Sequence, residues 1–127
     1  VEVCAVAKRD LSADELLDDY GMYMTYGEAV NAEEMSQKRY LPEGLVAGCK
    51  LKRPIKKDVV ITYDDVTLPP NRLADRLRGE QYSHFRAETW LADLLDGRQS
   101  SAGQSSGPPL PGQPKNAETL AAPAVST

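Results

Sequence analysis

The segment Lys8-Arg9-Asp10-Leu11-Ser12-Ala13-Asp14-Glu15-Leu16-Leu17 returns, in altered form, as Lys52-Arg53-Pro54-Ile55-Lys56-Lys57-Asp58-Val59-Val60-Ile61. In both copies a basic pair precedes an aliphatic residue, a turn-like stretch with an Asp, and further aliphatic residues. Similarity at a fixed offset marks one supersecondary unit used twice, and two copies are fewer than the roughly three a solenoid needs. A small pseudo-symmetric domain is expected, with residues 5–20 and 49–64 on related paths. Asp14 and Asp58 fall where each copy must turn, and a short Asp side chain tolerates left-handed backbone by bonding to nearby peptide groups. Val59-Val60-Ile61-Thr62-Tyr63 is β-branched and reads as a strand. Its counterpart, Asp14-Glu15-Leu16-Leu17, would pass alone for half a helix; the echo favours the extended path of its partner.

The surrounding sequence predicts a mainly β domain over residues 1–68. Val1–Ala7 and Val46–Arg53 read as strands entering the two copies. Gly21–Gly27 reads as an extended segment with Met22, Met24 and Tyr26 on one face and Tyr23 and Thr25 on the other. Residues 28–39 are a weakly amphipathic helical candidate, and Leu41-Pro42-Glu43-Gly44-Leu45 is a turn by its Pro and Gly. After Pro69-Pro70, with Asn71 as N-cap, Leu73, Leu77, Phe85, Leu91 and Leu95 recur near a helical period, widened by Trp90 and Leu94. A helical extension over 69–98 follows, with Gly79 as a breaking point. From Gln99 onward the chain is Ser, Gly, Pro, Gln, Ala and Thr with five prolines. Such a stretch buries too little to offset the entropy of ordering, so 99–127 is expected to be a disordered, low-complexity tail.

The net charge is −4, and Lys115 and Glu118 cancel within the tail, so the charge belongs to residues 1–98. Basic residues stand in small clusters among acids, which argues against nucleic acid as a partner. The run Lys50–Lys57 reads first as a solvated, lysine-guarded strand edge. No hydrophobic run approaches bilayer length and no secretory signal is visible, so no membrane association and a cytoplasmic location are expected. Cys4 and Cys49 each lie just ahead of a copy of the repeat. A disulfide is conceivable if the copies pack together, and free buried thiols are the preferred reading. A first residue already inside a strand is what a domain cut from a longer protein looks like.

Catalytic constellations are missing from the sequence. There is no glycine-rich phosphate or dinucleotide fingerprint and no Gly-x-Ser-x-Gly elbow. The single histidine, His84, has no Cys partner nearby and reads as a helix-surface residue. No catalytic, cofactor or metal residue is therefore assigned. Asp18-Asp19 and Asp64-Asp65 read as turn-forming pairs. The one constellation with binding chemistry is Tyr23, Tyr26 and Gly27 together with Lys52 and Arg53. Tyrosines on a glycine-bracketed strand can stack on a sugar or bond a phosphate, and Arg adds bidentate recognition. The alternative is that these tyrosines are core and rim of a small β-domain.

Gly48-Cys49-Lys50-Leu51-Lys52-Arg53-Pro54-Ile55-Lys56-Lys57-Asp58 with Ile61-Thr62-Tyr63-Asp64-Asp65-Val66, together with its first copy from Ala7 to Leu17, resembles the SAF domain, whose fold is a β-clip. Gly21-Met22-Tyr23-Met24-Thr25-Tyr26-Gly27, Leu41-Pro42-Glu43-Gly44-Leu45 and Arg72-Leu73-Ala74-Asp75-Arg76-Leu77-Arg78-Gly79-Glu80-Gln81 look like the C-terminal region of bacterial NAD(P)-dependent oxidoreductases with a homoserine-dehydrogenase-like nucleotide-binding domain in front, deoxyxylulose-phosphate-reductoisomerase-like enzymes included. The resemblance covers residues 1–85. It departs in placing Asp14 and Asp58 where relatives carry Gly, and the family's cofactor and catalytic segments precede the region present here. It implies a non-catalytic SAF module with no cofactor of its own, NAD(P) belonging to the parent protein. Its partners would be the preceding nucleotide-binding domain or a second subunit, possible homo-oligomerisation included. Leu73, Leu77, Phe85, Trp90 and Leu91 offer more apolar surface than a small β-clip covers alone and are the expected interface. The competing expectation is a free-standing binding or assembly module acting on a carbohydrate or a protein through Tyr23, Tyr26 and Arg53.

Overall fold

The computed structural model describes the backbone of residues 1–104 and the side chains of residues 1–97. One compact unit runs from Val1 to Asp75, and a second begins at Arg76. In the first unit, β1 (Glu2–Ala7) pairs antiparallel with β2 (Thr25–Val30), from Glu2 opposite Val30 to Ala7 opposite Thr25. Helix α1 (Ala32–Gln37) follows, then a 3₁₀ turn at Glu43–Leu45. Strand β3 (Lys50–Leu51) pairs antiparallel with β4 (Val66–Thr67), which a second 3₁₀ turn at Tyr63–Asp65 precedes.

The doubled sequence is a doubled hydrogen-bond pattern. At its centre Leu11 N–H donates to Ile55 O at 2.8 Å and Ile55 N–H donates to Leu11 O at 3.0 Å. Outward from that pair, each bond has a mate 44 residues on, the offset from Lys8 to Lys52. Asp14 N–H donates to Leu51 O and Asp58 N–H to Ala7 O, both at 2.8 Å. Leu17 N–H donates to Cys49 O at 2.8 Å, and Ile61 N–H to Ala5 O at 2.9 Å. The bridges Leu16–Lys50 and Val6–Val60 are related in the same way. Asp14 and Asp58 both adopt left-handed backbone, φ 72 and 67, as the turn argument requires. Glu15-Leu16-Leu17 is extended, as the echo demanded against its local helical character.

Regular strand is scarcer than the sequence predicts: the described residues form two two-stranded sheets and three α-helices, so the chain is mixed and not mainly β, with two of the helices in the expected extension. The strands hold 6, 6, 2 and 2 residues, and the α-helices 6, 14 and 15. Between the two copies the pairing is by single bridges, Leu11–Ile55, Leu16–Lys50 and Val6–Val60, because each copy turns again before a ladder can lengthen. Within Val46–Arg53 only Lys50–Leu51 is strand, and Glu28, expected in a helix, lies in β2.

Cys4, Val6 and Met35 form a buried cluster against which Tyr26, Val30, Tyr40 and Val60 pack. Helix α1 closes it by burying Met35 and Ser36. Both cysteines are free and buried.

The second unit is a helical hairpin. Helix α2 starts at the end of the first unit and runs unbroken from Leu73 to Arg86, through Gly79. A Cβ at Gly79 would meet Ala92 N at 3.5 Å and Ala92 Cα at 3.6 Å, ordinary van der Waals contact, so the helix tolerates this glycine without a steric need for it. The break comes at Ala87, with φ 55. Asn71, expected as N-cap, is itself left-handed, φ 58, two residues before the helix. Tyr82 and Trp90 meet across the hairpin with ring centroids 5.5 Å apart, and Arg78 lies 4.9 Å over the Tyr82 ring. Helix α3 runs from Trp90 to Gln104, six residues into the stretch expected to be tail; residues 105–127 lie outside the described residues.

Two predictions follow from the turns and the thiols. Asp14→Gly should leave stability within about 0.5 kcal/mol in urea unfolding, whereas Asp14→Val should cost ~1–2 kcal/mol by forcing a β-branched residue into left-handed backbone. Burial, reinforced by Glu28, raises the Cys4 thiol above its ordinary range. The folded protein thus binds that proton more tightly than the unfolded chain, so Cys4 stabilises the fold fully below the free-thiol pKa and loses that contribution as pH rises through its own. Cys4→Ser or Cys4→Ala should flatten the loss of stability above pH ~8.5, measured by urea midpoints across pH.

Candidate functional site

Around Tyr23 the chain forms a loop whose backbone is held at every N–H from residue 20 to 23. Tyr20 N–H donates to Asp19 Oδ1 at 2.8 Å, Gly21 N–H to Glu43 Oε2 at 2.9 Å, and Tyr23 N–H to Asp18 Oδ2 at 3.0 Å. Met22 N–H reaches Asp19 O at 3.3 Å, and the Lys8 ammonium donates to Met22 O. Gly21 sits at φ 72, where a side chain would be strained. The side chains of Tyr20, Met22 and Tyr23 nevertheless point outward, 63%, 47% and 77% exposed.

Glu43 is the anchor beneath this loop. It is only 7% exposed, and its Oε2 also accepts the hydroxyl of the fully buried Thr25 at 3.1 Å. Its other oxygen, Oε1, and Asp18 Oδ1 are buried without a hydrogen bond from the described residues, so the loop is held at a real desolvation cost. Gly27 has a structural reason as well. A Cβ there would fall 2.5 Å from Val3 Cγ1 and 3.5 Å from Glu43 Cγ.

The five residues singled out by the sequence do not form one set. Tyr26 donates its hydroxyl to Asp58 Oδ1 at 2.9 Å, and that bond holds its phenol protonated above the ordinary tyrosine range. Arg53 is engaged with Asp65, which is 2% exposed and also accepts Thr62 N–H at 2.9 Å. Lys52 is exposed and its backbone N–H donates to Asp65 O. The basic pair beside the Tyr23 loop is the other copy: Lys8 N–H donates to Met24 O at 2.8 Å while its ammonium holds Met22 O. Lys8 is the repeat mate of Lys52, so the echo itself carried that signal. Glu43 and Asp18 gave none, since a Glu in a Pro-Glu-Gly turn and an Asp in a paired-Asp turn are explained by the turns alone.

The start of α2 is fixed by Arg72. Its guanidinium holds Asp75, 1% exposed, through Nε at 2.9 Å and Nη2 at 3.0 Å, and donates to Ala47 O at 2.9 Å and Leu45 O at 2.8 Å. Burial opposes its charge, yet Asp75 holds it above the ordinary arginine range. Among the expected interface residues, Leu73, Leu77 and Phe85 are 56%, 53% and 76% exposed on one side of α2. Leu91 is fully buried and Trp90 half-buried against Tyr82, so these two belong to the hairpin's interior.

His84 is exposed, packed edge-on to Phe85 at 4.5 Å. Among the described residues no group of three or more His, Cys, Asp or Glu could hold a metal ion, and no helix is long and apolar enough to cross a membrane. No protein-family model and no curated protein sequence matches the chain.

Removing the anchor should free the loop alone. Glu43→Ala is expected to cost ~1–3 kcal/mol and to speed amide exchange at Gly21 well beyond that at Ala5, which bonds Leu41 O in the core; equal acceleration at both sites would show global unfolding instead.

Proposed function

We propose that the chain is a non-catalytic module of the SAF type, the C-terminal part of an NAD(P)-dependent oxidoreductase with a homoserine-dehydrogenase-like nucleotide-binding domain. The module docks on that domain or on a second subunit and contributes structure on the substrate side, while the cofactor and the chemistry belong to the parent. The observation that carries this reading is the doubled strand-turn unit, hydrogen-bonded about Leu11 and Ile55, because that duplication is what the resemblance implies. The exposed apolar side of α2 supports the docking role: Leu73, Leu77 and Phe85 stand on one face of a helix whose other face is packed. Exposed patches of that kind mark interaction surfaces.

A second reading is favoured by one feature. A free-standing recognition module would act through the Tyr20–Tyr23 loop, whose rigid backbone and outward Tyr20, Met22 and Tyr23 are suited to contact at low entropic cost. Arg53 and Tyr26, engaged with Asp65 and Asp58, play a smaller part in it.

The two readings separate on one experiment. Leu77→Asp with Phe85→Asp, placed in the complete parent protein, should weaken assembly at least about ten-fold in sedimentation and lower turnover, while leaving the melting of the isolated chain unchanged. Unaltered assembly and turnover in the parent would remove the docking role of α2.

A further inference from the structure

Helices α2 and α3 enclose between them a groove of about 500 Å³ that neither the docking face nor the Tyr20–Tyr23 loop uses. The two helices pack where Gly79 faces Ala92, and the groove is lined by Arg76, Glu80, Ser83 and His84 from α2 and by Ala92, Leu95 and Asp96 from α3. We propose that this groove binds a small zwitterion of the free α-amino-acid class, its carboxylate on Arg76, its ammonium on Glu80 and Asp96, and its apolar side chain on Ala92 and Leu95.

The first support is that these charges are unengaged. Arg9, Arg53, Arg72, Arg78 and Arg86 each hold a carboxylate, a carbonyl or a phenol. Arg76, Glu80 and Asp96 form no hydrogen bond or ion pair among the described residues, although they line one concavity. Unpaired recognition groups that converge over an apolar floor are the composition of a small-molecule site.

The second support is that the lining is selective by sign. A simple anion would find Arg76 but also two carboxylates, and a simple cation would find two carboxylates but also Arg76. An uncharged apolar ligand would desolvate all three charged groups without pairing any of them. A divalent ion lacks a set of three suitable ligands. A molecule carrying one carboxylate, one ammonium and a short apolar arm meets each group with its complement, and the Arg–carboxylate contact can be bidentate. The groups are exposed, so the affinity is modest, with a Kd of about 1 mM or somewhat tighter.

The proposal is independent of the SAF reading, since it rests only on residues 76–96. Its test is a titration of the full chain, isotopically labelled, with L-leucine, N-acetyl-L-leucine and L-leucinamide, following the Arg76 side-chain Nε–H, the Ala92 amide and the Leu95 methyls by NMR. L-leucine is expected to shift all three saturably, whereas blocking the ammonium or the carboxylate should weaken binding at least about ten-fold. Arg76→Gln and Asp96→Asn should each reduce binding comparably with helical circular dichroism unchanged, and Leu95→Trp, which fills the groove, should abolish it. No saturable shift at about 10 mM L-leucine, or equal shifts from all three compounds, would overturn the assignment.

Discussion

Two backbone hydrogen bonds, given and returned between Leu11 and Ile55, tie segments 44 residues apart and set the register of everything in the first unit. Closing a loop of that length costs ~3 kcal/mol in chain entropy beyond a constant term. Leu11 and Ile55 are each 2% exposed, and burying two such side chains contributes ~1.5–3 kcal/mol apiece, so the contact can carry its own closure. From this pair the turns at Asp14 and Asp58 are carried outward, each delivering its N–H to the other copy's entering segment. Slipping the bridge by one residue would turn Leu11, Ile55 and Leu51 out of the core together, since side chains alternate along extended chain. Duplication thus fixes register twice over with a single set of rules.

What distinguishes the halves is where they stop being alike. Strand β2 begins eight residues after Leu17, whereas β4 begins five after Ile61. The longer connection is the Tyr20–Tyr23 loop, and the shorter one is the 3₁₀ turn closed by Asp65 in a capping box with Thr62. Each copy then continues into a strand and a helix, but α1 caps the Cys4–Val6–Met35 cluster, whereas α2 begins at Leu73 and runs on past the last residue of the unit, Asp75. Lys50, the repeat mate of Val6, explains part of the difference: a charged residue at that bridge leaves Leu16 62% exposed, where Val60 is packed. Symmetry supplied the frame, and the exposed side chains of the Tyr20–Tyr23 loop and of α2 lie where the copies depart from it.

The frame was legible in sequence because turn chemistry is local: an Asp at a left-handed position and a β-branched run after it need no knowledge of the rest of the chain. The extended path of Leu16-Leu17, contrary to its own propensity, was legible only through comparison of the copies. Strand content was overestimated because β-branched composition reports burial on a pleated surface and not the length of a ladder. A glycine within a helical period need not break it: α2 runs through Gly79, and the break falls at Ala87, whose left-handed backbone no local signal marks. The Tyr23 site was half legible: its aromatic residues were visible, but which basic pair would meet them depended on tertiary pairing, and Glu43 was hidden by its turn.

The short ladders also give part of the chain's acidic side chains a structural role. Two-residue strands and single bridges leave many peptide N–H groups without a partner, and each must find one. Carboxylates provide it: Asp10 accepts from Lys57 N–H, Glu15 from Ser12, Asp18 from Tyr23, Glu43 from Gly21, and Asp65 from Thr62. Bonding to Arg9, and then to the Ser12 N–H, holds the Glu15 carboxyl below its ordinary range. With Asp19, which accepts from Tyr20 N–H, these carboxylates are a structural share of the first unit's negative charge, engaged in fixing irregular backbone. In the helical hairpin the peptide groups satisfy one another, so acidic side chains there are released from that duty. Glu80 and Asp96 are free to face a groove because a helix, unlike the bridged turns before it, does not need them.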